Sequence, residues 1–584
     1  MTPSASVFET VSNTLWILTP ELFLLAVASV MMTLCAFVTW PRAVWATIAG
    51  SALLACLPIL LITSNVTLPD YAASILNDPL AFWSRLGLLG TGLILTILAA
   101  DRIEHAKSGE FFGSLLMIQT GVMLTASAND LALLFLGLEL VSIPTYLLLF
   151  LGRRSDVERE AATKYFLLSL FSSAVLLFGM AYLYGLTGVS NLRAIGGLLS
   201  DPAALPGGSA GATLGIVALV FVVGGLGFRL ASVPFHFYAP DVYQGTATIL
   251  TALLSWIPKA VGVLALIRLV IGTLGFAPEL RDPGIILGFV VAVGTLTVGN
   301  FLALAQTNLK RLMAYSSISH AGYLMVGLTA AFVDGSAGRQ VTGVEAMLVY
   351  LGAYGVTTLG FFAGLLALTP PHPGRPTPAN LPPPDAQGPV VIDDLAGLAR
   401  SRPGVALGLA ACLVSLAGLP PTLGFLGKFE VFAAAIAAGG RLESRAFVTL
   451  VAIAALNAAI GAYYYLRLIV AMYLRDPIRP SAADFDASTA TPTPPVNLGA
   501  CSMLTVCALA SVFLGLAPNW LTGPSSSAAL GVRTLPPPPP VVVTEDQPTL
   551  TRNVPVPSMP APVAVSTPRS DETSVVATSA DKEL

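Results

Sequence analysis

The sequence predicts an all-α polytopic membrane protein, and three observations carry that prediction. Of 584 residues, 55% are hydrophobic and only 10% are charged, where a globular domain carries about 25% charge. Apolar runs of about twenty residues, long enough to span a bilayer, recur along the chain. Basic residues also gather in alternate connecting loops. Mean hydropathy is +0.79. The net charge of −3, with no basic patch or aromatic-interleaved basic stripe, argues against a nucleic-acid partner and leaves the lipid bilayer as the surrounding medium.

The apolar runs fall near 14–37, 43–63, 79–100, 111–128, 131–152, 161–187, 212–232, 242–275, 284–305, 311–332, 343–369, 404–438, 446–474 and 498–520, about fourteen transmembrane helices. The start does not read as a removable signal, since it has no basic n-region and Glu9 and Glu21 flank the first apolar stretch. Glu21 reads as interfacial or as a partner contact. With the N-terminus outside, the inner loops hold Arg42, Arg102, Lys107, Arg153, Arg154, Arg159, Lys310, Arg311, Arg375, Arg400, Arg402, Arg475 and Arg479. The outer loops then hold only Arg193, Arg281, Arg339, Arg441 and Arg445. That imbalance places both termini on the outer side.

Two segments read as dispensable for the fold. One is the Pro-rich inner loop at 370–389, PPHPGRPTPANLPPPDAQGP, within a connecting region that extends to 402. The other is the tail 524–584 with its run PPPPP at 536–540. Both are expected to be extended or disordered.

The stretch from Gly224 to Lys259, GGLGFRLASVPFHFYAPDVYQGTATILTALLSWIPK, organises the rest. An apolar helix carrying Arg229 is interrupted at Pro234, and a second apolar helix carries Lys259. Lipid tolerates irregular backbone only where protein or water lines it, and charge at that depth is usually functional. The stretch SLAGLPPTLGFLGKF repeats the pattern, with Pro420 and Pro421 before Lys428. One charge precedes its break and the other follows it, as inverted repeats would produce. The seventh and twelfth helices are therefore expected to be broken, and an ion or proton path is expected between them.

Glu139, in LALLFLGLELVSIPTYLLLF, lies roughly 12–15 Å into its helix from the polar Asn129–Asp130 edge. Lys259 and Lys428 are candidate proton-exchanging groups, because a desolvated lysine can give up its charge. Arg229 cannot relay a proton, since guanidinium stays protonated. If close to Glu139, it fixes that residue's charge. Glu160 and Lys164 stand at i,i+4 in VEREAATKYFLL. They read either as a surface ion pair or, through Lys164, as a feed to Glu139. His236 beyond Pro234 and His320 in RLMAYSSISHAGYLMV read either as proton relays or as structural histidines. Ser316, Ser317 and Ser319 supply hydroxyls that either order water or bond back to helix carbonyls. The five cysteines lie singly in apolar runs without metal-ligand spacing. No GxGxxG, Walker, HExxH or CxxCH motif is present.

At these residues the chain resembles a known family. LGLELVSIPTYLL, VPFHFYAPDVYQG, NLKRLMAYSSISHAGYLMVG and LPPTLGFLGKF are together similar to subunit N of bacterial respiratory complex I, the proton-translocating NADH:quinone oxidoreductase. The likeness covers roughly residues 10–520, and DVYQG is its most specific piece. It implies fourteen helices with two inverted five-helix repeats, helices 4–8 at 111–275 and helices 9–13 at 276–475. Helices 1–3 at 1–110 precede them, and helix 14 at 476–523 follows. It matches Glu139, Lys259 and Lys428 to the family's fifth-, eighth- and twelfth-helix charges, and Glu160 with Lys164 to the pair at the sixth. The family usually has lysine where this chain has Arg229. The resemblance also implies a complex using NADH, FMN, iron–sulfur clusters and quinone, with none of these on this chain. Its neighbours would be the antiporter-like subunit M and small subunits K and J, in a bacterial inner membrane. A stand-alone cation/proton antiporter and a non-pumping scaffold are the rival readings.

Overall fold

A computed structural model describes residues 3–66, 73–151, 155–200, 209–333, 342–369, 390–439, 444–476 and 497–533. Among them the secondary structure is helical, with isolated bridges at Ile75–Ala128, Asp130–Asn191 and Asn308–Val391. The helices are α1 Pro3–Ile17, α2 Thr19–Leu34, α3 Arg42–Thr63, α4 Pro79–Ala99, α5 Ser108–Ser127 and α6 Leu131–Leu151. They continue with α7 Asp156–Thr187, α8 Leu192–Ser200, α9 Ser209–Leu230, α10 Ala239–Gln244 and α11 Thr248–Ala265, which runs on into a π-turn at Leu266–Ile271. Then come α12 Pro278–Leu304, α13 Leu309–Ala331, α14 Gly343–Leu368, α15 Leu398–Ser401, α16 Pro403–Ala417 and α17 Leu423–Ala438. The last are α18 Ser444–Leu474, α19 Leu498–Leu516 and α20 Asn519–Arg533.

Capping explains many of the starts. Asp78, Asn308, Thr342 and Asn497 each accept a backbone N–H of the first turn they precede. Ser155 and Glu158 form a capping box at α7. Among the described residues ten helices are long and apolar enough to cross a membrane, or eleven if the bent pair Glu9–Ile17 and Thr19–Leu34 is one span. The expected fourteen exceeds this for physical reasons. α13 is buried on nearly every side, so serines and His320 replace lipid-facing carbons. α16 and α17 are each too short alone because their span is interrupted.

α11, α13 and α14 form the buried centre. α12 packs on α13, α7 on α9, and α5 on α6. The last contact needs glycine: a Cβ on Gly121 would stand 2.8 Å from the Gly137 carbonyl oxygen.

Three expectations change. Glu21 is not interfacial. It is 2% exposed and pairs with Arg85 of α4 at 2.7 Å, because a carboxylate in a dry interior needs a cation. Residues 524–533 are not an extended tail but the last ten of the 15 residues of α20, whose Leu521 packs against Gly352 of α14. Residues 534–584, the Pro-rich loop 370–389, and Arg153, Arg154, Arg339, Arg375, Arg441 and Arg479 lie outside the described residues. The third change concerns Lys164 and belongs to the site.

Beside the 370–389 segment the ends are fixed. Arg102 donates to the carbonyls of Thr369 at 2.8 Å and Leu366 at 2.5 Å, and Arg402 donates to that of Ala367. On the far side Leu309 N–H donates to Val390 O, Ile392 N–H to Thr307 O, and the Asp394 carboxylate accepts from Val390 and Val391.

Candidate functional site: a buried row of charges and hydroxyls

Both expected interruptions are present. α9 stops at Leu230, and Ala231–Tyr238 run irregularly before α10. The freed backbone groups find partners: Ser232 N–H donates to Gly227 O, Val233 N–H to Thr295 Oγ1, and Tyr238 O–H to Phe228 O. α16 stops at Gly418, with φ of +83°, and α17 resumes at Leu423. Gly424 N–H there donates to Ser415 Oγ.

Each half-helix ends on a cation. Arg229 occupies the last turn of α9. Lys428 reaches back from α17 and donates to the Leu416 and Ala417 carbonyls at 3.0 and 2.7 Å. A positive charge is favourable at a helix C-terminus, where carbonyls lack intrahelical partners.

Glu139, Arg229 and Ser173 come together from α6, α9 and α7. Arg229 Nη2 stands 3.4 Å from Glu139 Oε1, and Ser173 Oγ donates to the same oxygen at 2.5 Å. Arg229 packs along α11, since a Cβ on Gly262 would touch its Cβ at 3.4 Å. That is about one turn from Lys259.

Lys259 is 2% exposed and Lys428 is 6% exposed. Neither has a carboxylate partner among the described residues. Lys259 Nζ donates to Ser317 Oγ and lies 5.6 Å from the Tyr354 ring centroid. Tyr354 O–H donates to Ser317 at 2.9 Å. His320 joins α13 to two further helices: Nδ1 bonds Tyr350 O–H of α14 at 2.6 Å, and Nε2 bonds Tyr465 O–H of α18 at 2.9 Å. Ser316 also bonds Tyr465. The His320 ring is 4.9 Å from that of Tyr354 and 6.2 Å from that of Tyr323. Tyr323 in turn lies 5.4 Å from Lys428 Nζ. So α11, α13, α14, α18 and α17 assemble one buried row between the two lysines.

Lys164 does not reach Glu139. It bonds Glu160 at 2.6 Å and Asp241 at 2.7 Å. Ser173, which does touch Glu139, lies nine residues further along α7, about 13 Å away by helix rise. The Glu160 pair is at the surface, with side chains 39% and 61% exposed. His236 makes none of the contacts of the row and is only half-buried, beside Pro234.

Sequence reasoning passed over Asp241, which sits between Lys164 and Arg311, the latter at 2.8 Å. Burial pushes its carboxyl up, but hydrogen bonds from Lys164 and Arg311 outweigh that and leave it below the ordinary carboxylate range. It also passed over Arg85 and Arg268. Arg268 forms a two-pronged pair with Asp78 at 2.6 Å on each arm. Both lie in apolar runs and were detectable by the rule that found Lys259. The described residues hold no group of three metal-ligating side chains, and of the five free cysteines only Cys412 and Cys507 approach each other, beside Gly360. They do not fit an iron–sulfur cluster, which needs convergent thiolates.

Comparison with known proteins agrees with this architecture. Residues 128–454 match the family described as NADH:quinone oxidoreductase/Mrp antiporter, TM. NADH-quinone oxidoreductase subunit N of Trichlorobacter lovleyi is 37% identical over 78% of this chain and 85% of its own length. Subunit N 2 of Rhizobium meliloti is 34% identical over 88% of this chain and 97% of its own. Among solved structures, a chain of Thermus thermophilus respiratory complex I with bound aureothin superposes with a TM-score of 0.66 at 29% identity. That match covers 86% of this chain and 98% of the other. The present chain belongs to the subunit N family of NADH-quinone oxidoreductases.

Proposed function

We propose that this chain is the antiporter-like subunit of a complex I membrane arm and that it moves protons along the row from Lys259 to Lys428. One observation carries the reading: two buried lysines without carboxylate partners stand at either end of a row formed by an imidazole and the tyrosines around it. Protein charge at bilayer depth without a counter-ion is costly and is retained where it works.

Glu139 and Arg229 set the field. Arg229 keeps its proton throughout, so only the degree to which Glu139 neutralises it changes. Less neutralisation leaves more positive charge beside α11 and drives the Lys259 proton off. The proton passes by Ser317 and Tyr354 to His320, whose two nitrogens already face acceptor–donor hydroxyls. Water bridges the remaining gaps. Lys428 receives the proton and holds it against the Leu416 and Ala417 carbonyls before release. Electron transfer from NADH to quinone, elsewhere in the complex, supplies the energy. We place subunits M, K and J beside this chain, the membrane as bacterial and inner, and both termini outside. The two inverted repeats correspond to the half-helix cations Arg229 and Lys428.

Lys259→Ala in native membrane vesicles tests the reading, with assembly, NADH:quinone rate and proton uptake scored together. Retained assembly with collapse of both rate and uptake is expected. Normal rate and uptake would make Lys259 structural and favour a scaffold role.

A further inference from the structure

We propose that Tyr243, in the six-residue helix α10, is a positioning residue that keeps Ser317 turned as an acceptor towards Lys259. Donors and lone pairs around Ser317 fix its orientation. Tyr243 has one proton, and its hydroxyl donates it to the Leu254 carbonyl at 3.3 Å. Its contact with Ser317 at 3.1 Å must then be accepted, so Ser317 Oγ is the donor. Ser317 has two lone pairs left. One accepts from Tyr354 at 2.9 Å and the other from Lys259 Nζ. Every hydroxyl in the cluster is thereby assigned, and Ser317 presents only a lone pair to the lysine.

That polarity matters because Lys259 has no counter-ion among the described residues. A hydroxyl that accepts stabilises the ammonium form, and one that donates stabilises the neutral amine. Without the Tyr243 oxygen, the Ser317 hydroxyl can rotate and offer its proton to the amine instead. Tyr243 therefore biases which form of Lys259 the site holds, without touching the lysine.

α10 is well placed to transmit this. Two residues before Tyr243, Asp241 is held by Lys164 and by Arg311. Arg311 and Ser317 both belong to α13, about 9 Å apart along its axis. The short helix is thus fastened to α13 at two points, one ionic and one through hydroxyls. A shift in the ionic contact moves the backbone that carries Tyr243.

The inference rests on the proton-conducting reading of Lys259, and the test separates the two. In the whole complex in native membranes, Tyr243→Phe keeps the ring and removes the oxygen. Turnover per assembled complex is expected to fall about three- to tenfold, the scale of one hydrogen bond, with the KM for quinone unchanged. Adding Tyr243→Phe to Ser317→Ala should cause no further fall, and Ser317→Thr should retain most of the rate. Wild-type turnover in Tyr243→Phe, or multiplying losses in the double variant, would overturn the proposal. Should Tyr243→Phe not assemble, the single Ser317 variants decide: equal rates for Ser317→Ala and Ser317→Thr would overturn it. If Lys259→Ala abolishes pumping while Tyr243→Phe is silent, only the positioning role fails. If Lys259→Ala is silent, the conducting role fails.

Discussion

Arg229 closes the last turn of α9 beside Glu139, and the structure makes the consequence calculable. Its guanidinium lies 3.4 Å from Glu139, with the two side chains 7% and 22% exposed. At that distance, with an effective dielectric of about 20, the attraction is about 5 kcal/mol. Removing one member of such a pair costs on the order of 3–5 kcal/mol, more than a 100-fold effect on any step that depends on it. Arg229→Lys retains the charge on a slightly shorter arm. A separation of about 4.5 Å still yields about 4 kcal/mol at the same dielectric. Arg229→Gln retains a hydrogen-bond donor and loses the charge. The lysine variant should therefore pump within a few-fold of the parent, and the glutamine variant should fall on the order of 100-fold. The assay is the initial rate of NADH-driven acidification in inverted vesicles, divided by assembled complex. A glutamine variant pumping within threefold of the parent would refute the fixed-charge argument. A lysine variant as weak as the glutamine one would show that the forked guanidinium geometry matters instead.

Asp241→Asn should remove a pH-dependent increment of stability. The folded carboxyl lies below its ordinary value, so the increment is fully present above about pH 4 and lost as pH falls through the lowered value. The difference in melting temperature between parent and Asp241→Asn should hold from about pH 5 to 8 and shrink below about pH 4. Arg85→Met should cost on the order of 3–5 kcal/mol by stranding Glu21. The double variant Glu21→Leu with Arg85→Met should recover most of it in thermal unfolding of the purified complex. Gly424→Ala would drive a Cβ into the Ser415 carbonyl. Backbone on both sides leaves no room to yield, so membranes should lose assembled complex, while Gly404→Ala, with open space around it, should be neutral.

The helices and their interruptions were legible because the signals are local. An apolar run is visible as a run, and Pro234 or Pro420 within one marks a break wherever the chain later packs. Lys259 and Lys428 were visible for the same reason, as charges against an apolar background. What these lysines touch was not legible. Tyr465 meets Ser316 from 149 residues away, and nothing local distinguishes it from Tyr463, which is 59% exposed. Glu21 was misjudged because its position near a helix start suggests the interface, whereas Arg85, 64 residues on, decides its burial. Of the two readings of Lys164 the surface pair with Glu160 is the one present, and the contact across to α10 was hidden because i,i+4 spacing names only the first. The Pro-rich appearance of 536–540 was extended backwards over 524–533, where Ser525 and Ala528 are buried against the bundle.

The arginines that grip the end of α14 bear on how this chain tolerates inserted sequence. Arg102 and Arg402 hold the carbonyls at 366–369, and Asp394 with the Asn308–Val391 bridge holds the chain where it returns. Both endpoints of the 370–389 segment are thus pinned by contacts that do not involve the segment itself. For a flexible connection between ends fixed in this way, halving or doubling the length alters closure entropy by only about 0.6 kcal/mol. An epitope, a fluorescent reporter or a cross-linking handle could be spliced there without the buried row of charges registering the change.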